Sequence, residues 1–197
     1  MASRIARLIS IAMFLAATAG CGTTAPARFY TLDSVATSDG SPASRMALLV
    51  GPVSIPASVD QPQFVVQVAS NRVEVDEFNR WVAPLNDSIA RAVAGDLTAI
   101  LGTPDVAVAP LGNFNADYWV TINVQRFESK RGEGTVLEAV WTVRKTAGGA
   151  TRSGRTVAHE TVQGDSFDSL AAAHSLAVAA MSGDIAATIR AQAQARP

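Results

Sequence analysis

The sequence predicts an α+β fold in which two amphipathic helices pack on one face of a mixed, mostly antiparallel sheet. Segments rich in β-branched residues alternate with two longer segments whose apolar residues recur every three or four positions. Elements of these two kinds bury their apolar sides by packing helices against a sheet. The sequence contains no internal repeat with a period of about 20 to 50 residues, which argues against a solenoid or a propeller.

The first part of the chain predicts four strands. Residues 28–32 and 47–53 have the composition of strands, and we expect both to enter one sheet. The small, polar residues 34–46 between them predict a flexible surface loop. Residues 64–69 and 72–75 are rich in valine, and the two residues between them predict a tight hairpin turn.

The first helix is predicted directly after these strands. Pro84 suits the first turn of a helix, and Gly102 followed by Pro104 is typical of a helix end. Its apolar residues fall on one face: Leu85, Ile89, Val93, Leu97, Ile100 and Leu101.

A short strand and an antiparallel meander are predicted next. Residues 105–109 form the short strand, and residues 118–128, 135–145 and 155–163 form the meander, with two glycines turning the chain before its last strand. Apolar and polar residues alternate along residues 118–125, which indicates that one face of this strand is buried.

The second helix is predicted at the end of the chain. Ser166 offers an N-terminal cap, and we expect residues 191–197 to fray. Its apolar stripe consists of Leu170, Ala173, Ala177, Met181, Ile185 and Ile189.

The first 21 residues predict export followed by lipid attachment. Two arginines precede an apolar run of about ten residues, which is too short to span a bilayer, and small residues then lead to Cys21. Cys21 is the only cysteine, so it forms no internal disulfide, and its thiolate can take a thioether-linked diacylglycerol. We expect a signal peptide over 1–20, an acylated N-terminus and linker over 21–27, and one periplasmic domain over 28–197. An uncleaved anchor helix is the alternative.

The charge of the mature chain argues against a nucleic-acid partner. Removal of the signal peptide leaves 14 Lys and Arg residues against 17 Asp and Glu residues, a formal charge of −3. Phosphate binding needs a clustered cationic surface, which this balance does not favour. We also expect no segment after residue 21 to reach transmembrane length.

Catalytic chemistry has few candidate residues. His159 and His174 are the only histidines, and the chain has no Gly-x-Ser-x-Gly motif to hold a nucleophile. We expect His159 to be a half-exposed cross-strand residue and His174 to lie at the edge of the core. Two distant histidines and one cysteine do not provide the spacing of a metal site. The sequence therefore predicts no catalytic residue, no metal and no cofactor other than the covalent lipid on Cys21.

Three consecutive stretches carry a resemblance to a known family. They are residues 50–64 (VGPVSIPASVDQPQF), 71–75 (NRVEV) and 77–85 (EFNRWVAPL), and they follow the cysteine anchor and the strand of residues 29–32 in order. Together they resemble the PqiC (YmbA) family of ABC-type transport auxiliary lipoproteins. The resemblance implies an accessory, non-enzymatic subunit that works with an MCE-domain protein and an inner-membrane transporter component in lipid movement between membranes.

Location and assembly are further implications of the resemblance. Independently of the resemblance, the enteric sorting rule retains lipoproteins with Asp after the cysteine in the inner membrane, so Gly22 resembles cargo that is sent to the outer membrane. We therefore expect the periplasmic face of the outer membrane as the location, and a homo-oligomer, such as a ring, as a possible assembly.

Five residues form the candidate contact surface for a protein partner: Pro56, Asp60, Pro62, Phe78 and Trp81. Prolines stiffen this region, and aromatic residues are enriched at the centres of interfaces. Because tryptophan is usually largely buried, the alternative is that Phe78 and Trp81 cover the core. Two other functions stay open, a periplasmic lipoprotein that holds a lipid in its own cavity and an envelope hydrolase.

Overall fold

The computed structural model of this protein describes residues 25–195. The predicted signal peptide (1–20), the acylation site at Cys21 and Gly22 lie outside the described residues. Within residues 25–195 the chain forms eight strands and two α-helices. In chain order they are β1 (Arg28–Tyr30), β2 (Leu48–Ser54), β3 (Gln63–Ala69), β4 (Arg72–Trp81), α1 (Leu85–Leu101), β5 (Val106–Val108), β6 (Tyr118–Lys130), β7 (Gly134–Lys145), β8 (Thr151–Thr161) and α2 (Phe167–Gln194).

The strands form one curled mixed sheet with β6 at its centre. On one side of β6, β7 and β8 continue as the predicted antiparallel meander. On the other side, β2 pairs in parallel with the first half of β6, while β3 meets its second half through Val66 and Ser129. The sheet therefore has two branches here, β2–β5 and β3–β4–β1. The antiparallel ladders are the longest, so the predicted fold class is confirmed.

One irregularity keeps the buried face of β6 continuous. Even-numbered residues from Tyr118 to Val124 are buried, and the register with β7 then shifts before Arg126. After this bulge, the odd-numbered residues Phe127 and Ser129 are buried. An extra residue reverses the alternation of side chains, so both halves of the strand present their apolar side to the helices.

Helix α1 begins and ends where the sequence predicts. Its N-cap is Pro84, and it stops at Gly102, which adopts a left-handed conformation with φ of 61° that glycine accommodates at low cost. The largest fully buried side chains of the described structure come from both helices and the sheet: Leu48, Val50, Phe64, Ile89, Leu97, Leu101, Leu137, Leu170, His174, Met181, Ile185 and Ile189.

Helix α2 extends further than the sequence predicts. Its cap is confirmed, because the Ser166 hydroxyl accepts a hydrogen bond from the Ser169 amide, but the helix continues to Gln194. Residues 191–194 are therefore helical, and Gln192 is buried. The expected fraying of residues 191–197 is wrong for this part, since packing stabilises the last turn.

The expectation about transmembrane length also needs correction. By length and apolar composition, α2 qualifies as a membrane-crossing helix. In the fold, however, it lies on β7 and β8 and against α1, with side chains such as Val178 and Ile185 fully buried. Its apolar composition is thus explained by its position as a core helix.

Residues 34–46 are irregular, as predicted, but they are held against the helices. The Ser34 hydroxyl donates to the buried Asp96 carboxylate of α1, and Arg190 of α2 forms an ion pair with Asp39. These contacts tie the connection between β1 and β2 to both helices. The loop is therefore more restrained than its composition predicts.

Candidate functional site

A surface depression of about 350 Å³ lies beside the first strand. One wall is the loop of residues 60–62, the other is the segment of residues 80–85 where β4 leads into α1, and Phe29 forms the rim. Asp60 and Pro62 of the predicted contact surface line this depression, as does Trp81.

Backbone hydrogen bonds hold these three segments together. The Trp81 amide donates to the Pro62 carbonyl oxygen at 2.6 Å, and the Val82 amide donates to the Tyr30 carbonyl oxygen at 2.9 Å. β1 and β4 run parallel, with Phe29 opposite Arg80 and Tyr30 opposite Trp81. Because successive side chains alternate across a strand, Tyr30 and Trp81 enter the core while Phe29 stays at the surface.

The Trp81 ring belongs to an aromatic cluster in the core. It stacks on Phe64 with the ring centres 4.2 Å apart. It also packs edge-to-face against Phe127 and His174, with a distance of 6.0 Å between ring centres in each pair. Only 5% of Trp81 is exposed. Trp81 therefore has a defined packing role, and its role in partner contact stays a prediction.

Phe78 lies on a bulge of β4, away from the lining of the depression. The pairing with β3 passes from Arg80 directly to Asp76, which leaves three residues of β4 without partners in this ladder. Burial opposes ionisation of Asp76, but hydrogen bonds from Asn79 and from the Phe78 amide lower its pKa. The carboxylate thus fixes the bulge, at which Phe78 is 41% exposed.

The structure brings together three of the five predicted contact residues and leaves two apart. Pro56 is half-buried and, like Phe78, does not line the depression. Sequence reasoning missed Phe29 and Val82, which both border it. The alternation of side chains along the strand of residues 28–32 could have identified Phe29 as exposed. A strand that buries Tyr30 must place the neighbouring Phe29 on the opposite, solvent-facing side.

A larger depression of about 620 Å³ lies on the polar face of β6, β7 and β8. Most of its charged side chains pair with one another: Arg126 pairs with Glu128 at 2.7 Å, and Lys130 with Glu133 at 3.5 Å. Glu160, which also lines the depression, forms no ion pair among the described residues. The bond to Arg126 lowers the pKa of Glu128 despite some burial. The pairing leaves a single unpaired carboxylate in this part of the described structure, Glu160, which is too little charge to attract a ligand of opposite sign.

His174 lies inside the core rather than at its edge. Its Nε2 is 2.8 Å from the Ser129 hydroxyl oxygen, and its ring stacks on Phe127 with the centres 3.8 Å apart. Complete burial lowers the pKa of His174 to about 3, so the ring is neutral at ordinary pH. Among the described residues, its Nδ1 has no hydrogen-bond partner, so no carboxylate orients the ring as in a catalytic triad.

His159 is an exposed cross-strand residue of β8 opposite Val136, somewhat more open than the half-exposed position that the sequence predicts. No group of three or more His, Cys, Asp or Glu side chains suited to a metal ion occurs within residues 25–195.

The family model for the ABC-type transport auxiliary lipoprotein component matches residues 30–186, from the end of β1 into α2. The chain belongs to this family. The resemblance seen in residues 50–85 is confirmed, and the chain is an auxiliary lipoprotein component of a transport system. No curated protein is a significant sequence match.

Solved structures share the fold at low sequence identity. A Xanthomonas campestris protein of the DUF330 family is 18% identical with a TM-score of 0.69, over 86% of this chain and 100% of that chain. An uncharacterized protein is 21% identical with a TM-score of 0.67, over 84% of this chain and 99% of that chain. A PelC dodecamer from Paraburkholderia phytofirmans is 20% identical over 76% of this chain and 92% of that chain, and its TM-score of 0.44 is too low to bear on assembly.

Proposed function

We propose that this chain is an outer-membrane lipoprotein, anchored by acyl chains on Cys21, that acts as an accessory subunit of an MCE-type lipid transport system between the two membranes. The observation that carries the proposal is membership of the transport auxiliary lipoprotein family over residues 30–186. The signal pattern that ends at Cys21 supports the anchor, and Gly22 supports the outer membrane.

The described residues favour a structural role over a catalytic one. The Ser129 and His174 pair, which has the distance of a nucleophile and its base, is sealed in the core. A hydrolase needs such a pair beside a substrate cleft. We therefore propose that the domain works through contacts and not through bond cleavage.

The structure gives little support to a lipid carried within the domain. The space between the sheet and the helices is filled by side chains such as Val50, Ile89 and Ile185, which are fully buried. Close-packed interiors of this kind hold few voids larger than a water molecule. Accessory function is thus the better proposal.

The protein partner is proposed to contact the predicted surface at Phe78, which lies outside the depression. Phe78 is 41% exposed, and a side chain that acts as a hot spot at the centre of an interface contributes about 2 kcal/mol or more to binding. Phe78→Ala should then weaken partner binding by a factor of about 30 without changing the melting temperature much. Val157→Ala, on the exposed side of β8, is the matched control.

The decisive experiment follows acylation and partner capture in the same cells. Wild-type protein and Cys21→Ser are expressed with a fatty-acid probe, the outer and inner membranes are separated, and the MCE-domain partner is sought in the material that co-purifies. We expect probe, outer-membrane location and partner with the wild type, and loss of the probe with Cys21→Ser. A mature protein that carries no probe and is free in the periplasm would refute the anchor, and acylated protein without the MCE partner would refute the transport assignment.

A further inference from the structure

Phe29 and Val82 are the most exposed large apolar side chains within residues 25–195, at 62% and 60%. They border the same depression, because β1 and β4 pair side by side and the Val82 amide bonds to the Tyr30 carbonyl oxygen. Single exposed apolar residues are ordinary on protein surfaces. Two of them on the rim of one depression indicate a contact surface.

This surface lies close along the chain to the proposed anchor. Phe29 is eight positions after Cys21, and a fully extended chain of this length spans at most about 28 Å. An acyl group on Cys21 therefore keeps β1 within this distance of the bilayer. Val157, an exposed apolar residue on β8, lies far from this tether, since β4, β3, β6 and β7 separate β8 from β1 in the sheet.

We propose that the surface formed by Phe29 and Val82 lies against the bilayer in which Cys21 is anchored. This inference rests on the acylated Cys21 of the proposed function. The two side chains enter the boundary between headgroups and acyl chains, where apolar groups of surface-bound proteins are buried. Pro62 and Pro84, which line the same depression, add apolar area next to them.

Charge does not drive this contact. Arg80 pairs with Glu77 at 3.3 Å, and the exposed Arg28 and Asp60 are of opposite sign. Asp33 and Asp168, which line a second depression beside Phe29, are both acidic. The contact therefore depends on apolar area and should persist on membranes with few anionic lipids. It fixes the orientation of the domain on the membrane, which a flexible tether alone does not.

The test uses the acylated protein in vesicles of phosphatidylethanolamine and phosphatidylglycerol. Because Cys21 is the only cysteine and is acylated, Val82→Cys introduces a single free thiol for an environment-sensitive fluorophore. We expect the emission at position 82 to shift to shorter wavelengths and to be quenched by lipids that carry nitroxide groups. The matched control, Val157→Cys, starts from a 48% exposed side chain on β8 and should show neither effect.

A second variant tests the surface as a whole. Phe29→Ser combined with the label at position 82 should lose most of the shift and of the quenching. Equal quenching at positions 82 and 157 would overturn the proposal, as would a label at 82 that responds only when the purified MCE-domain partner is added.

Mass spectrometry of the N-terminal peptide distinguishes a failure of the membrane-contact proposal from a failure of the proposed acylation at Cys21. Absence of acyl chains on Cys21 refutes the proposed function together with this inference. Acylated protein whose label at 82 stays in water refutes the inference alone.

Discussion

Replacement of His174 by glutamine should reduce the loss of stability that acid causes in this protein. In the folded protein burial lowers the pKa of His174 to about 3, whereas in the unfolded chain a histidine has an ordinary pKa near 6.5. Above pH 6.5 the ring is neutral in both states. As the pH falls below 6.5 the unfolded chain binds a proton that the folded protein does not, so the free energy of unfolding falls.

The size of the effect follows from the separation of the two pKa values. Each pH unit between them lowers the free energy of unfolding by about 1.4 kcal/mol, which gives about 2 kcal/mol between pH 6.5 and pH 5. His174→Gln keeps an amide group near the Ser129 hydroxyl but cannot take up the proton. It also loses the stack on Phe127, at a cost that is the same at both pH values.

The assay is urea denaturation at pH 7.5 and pH 5, followed by tryptophan fluorescence. The difference between the two pH values should be about 2 kcal/mol smaller in His174→Gln than in the parent protein. His159→Gln, which removes the exposed histidine of β8, is the control for the loss of a histidine that is not buried. Carboxylates contribute equally to the parent and to both variants. If His174→Gln lost as much stability as the parent at pH 5, the neutral buried ring would be refuted.

Two further predictions concern stability at neutral pH. Asp96→Ala removes the acceptor for Ser34, Ala36 and Ser182, and should cost about 3 kcal/mol or more in urea denaturation, whereas Asp96→Asn keeps one oxygen and should cost less. Gly154→Ala should cost about 1–3 kcal/mol, because a methyl group there meets the buried Trp141 ring.

Each of these two predictions is tested by comparing the free energy of unfolding of two variants. Equal losses for Asp96→Ala and Asp96→Asn would show that the hydrogen bonds at the retained oxygen contribute nothing. For the glycine, Gly183→Ala in α2 is the control: its new methyl group meets open space, and the substitution should stabilise by about 0.5–1 kcal/mol. If Gly154→Ala left the free energy of unfolding unchanged, the Trp141 ring would have to move aside without loss of stability.

The elements that the sequence predicts correctly are those whose signals are local. The valine-rich hairpin of β3 and β4 and the ends of α1 are confirmed because a turn, a proline and a glycine act on their immediate neighbours. Local signals of this kind do not predict the position of a helix end that is set by tertiary packing. α2 continues past residue 191 because Gln192 is buried against the sheet, which its own sequence does not show.

The candidate site was only partly predictable for the same reason. The local richness in prolines and aromatic residues predicts a contact surface that includes Asp60, Pro62 and Trp81. The structure brings these three residues to one depression. Phe29 joins them through parallel pairing of β1 with β4 across some fifty residues of chain. No local pattern specifies such a partner, because strand pairing depends on the whole set of competing strands.

The sequence by itself determined the periodicity of each element, the family and the expectation of a lipid anchor at Cys21, since these depend on residue types at fixed spacing. Only the tertiary structure decided which strands lie side by side, that His174 is sealed beside Ser129, and that Phe29 meets Val82. These facts depend on burial and on contacts between residues far apart in the chain. The free energy of such contacts is set by the folded molecule as a whole and by no single segment of it.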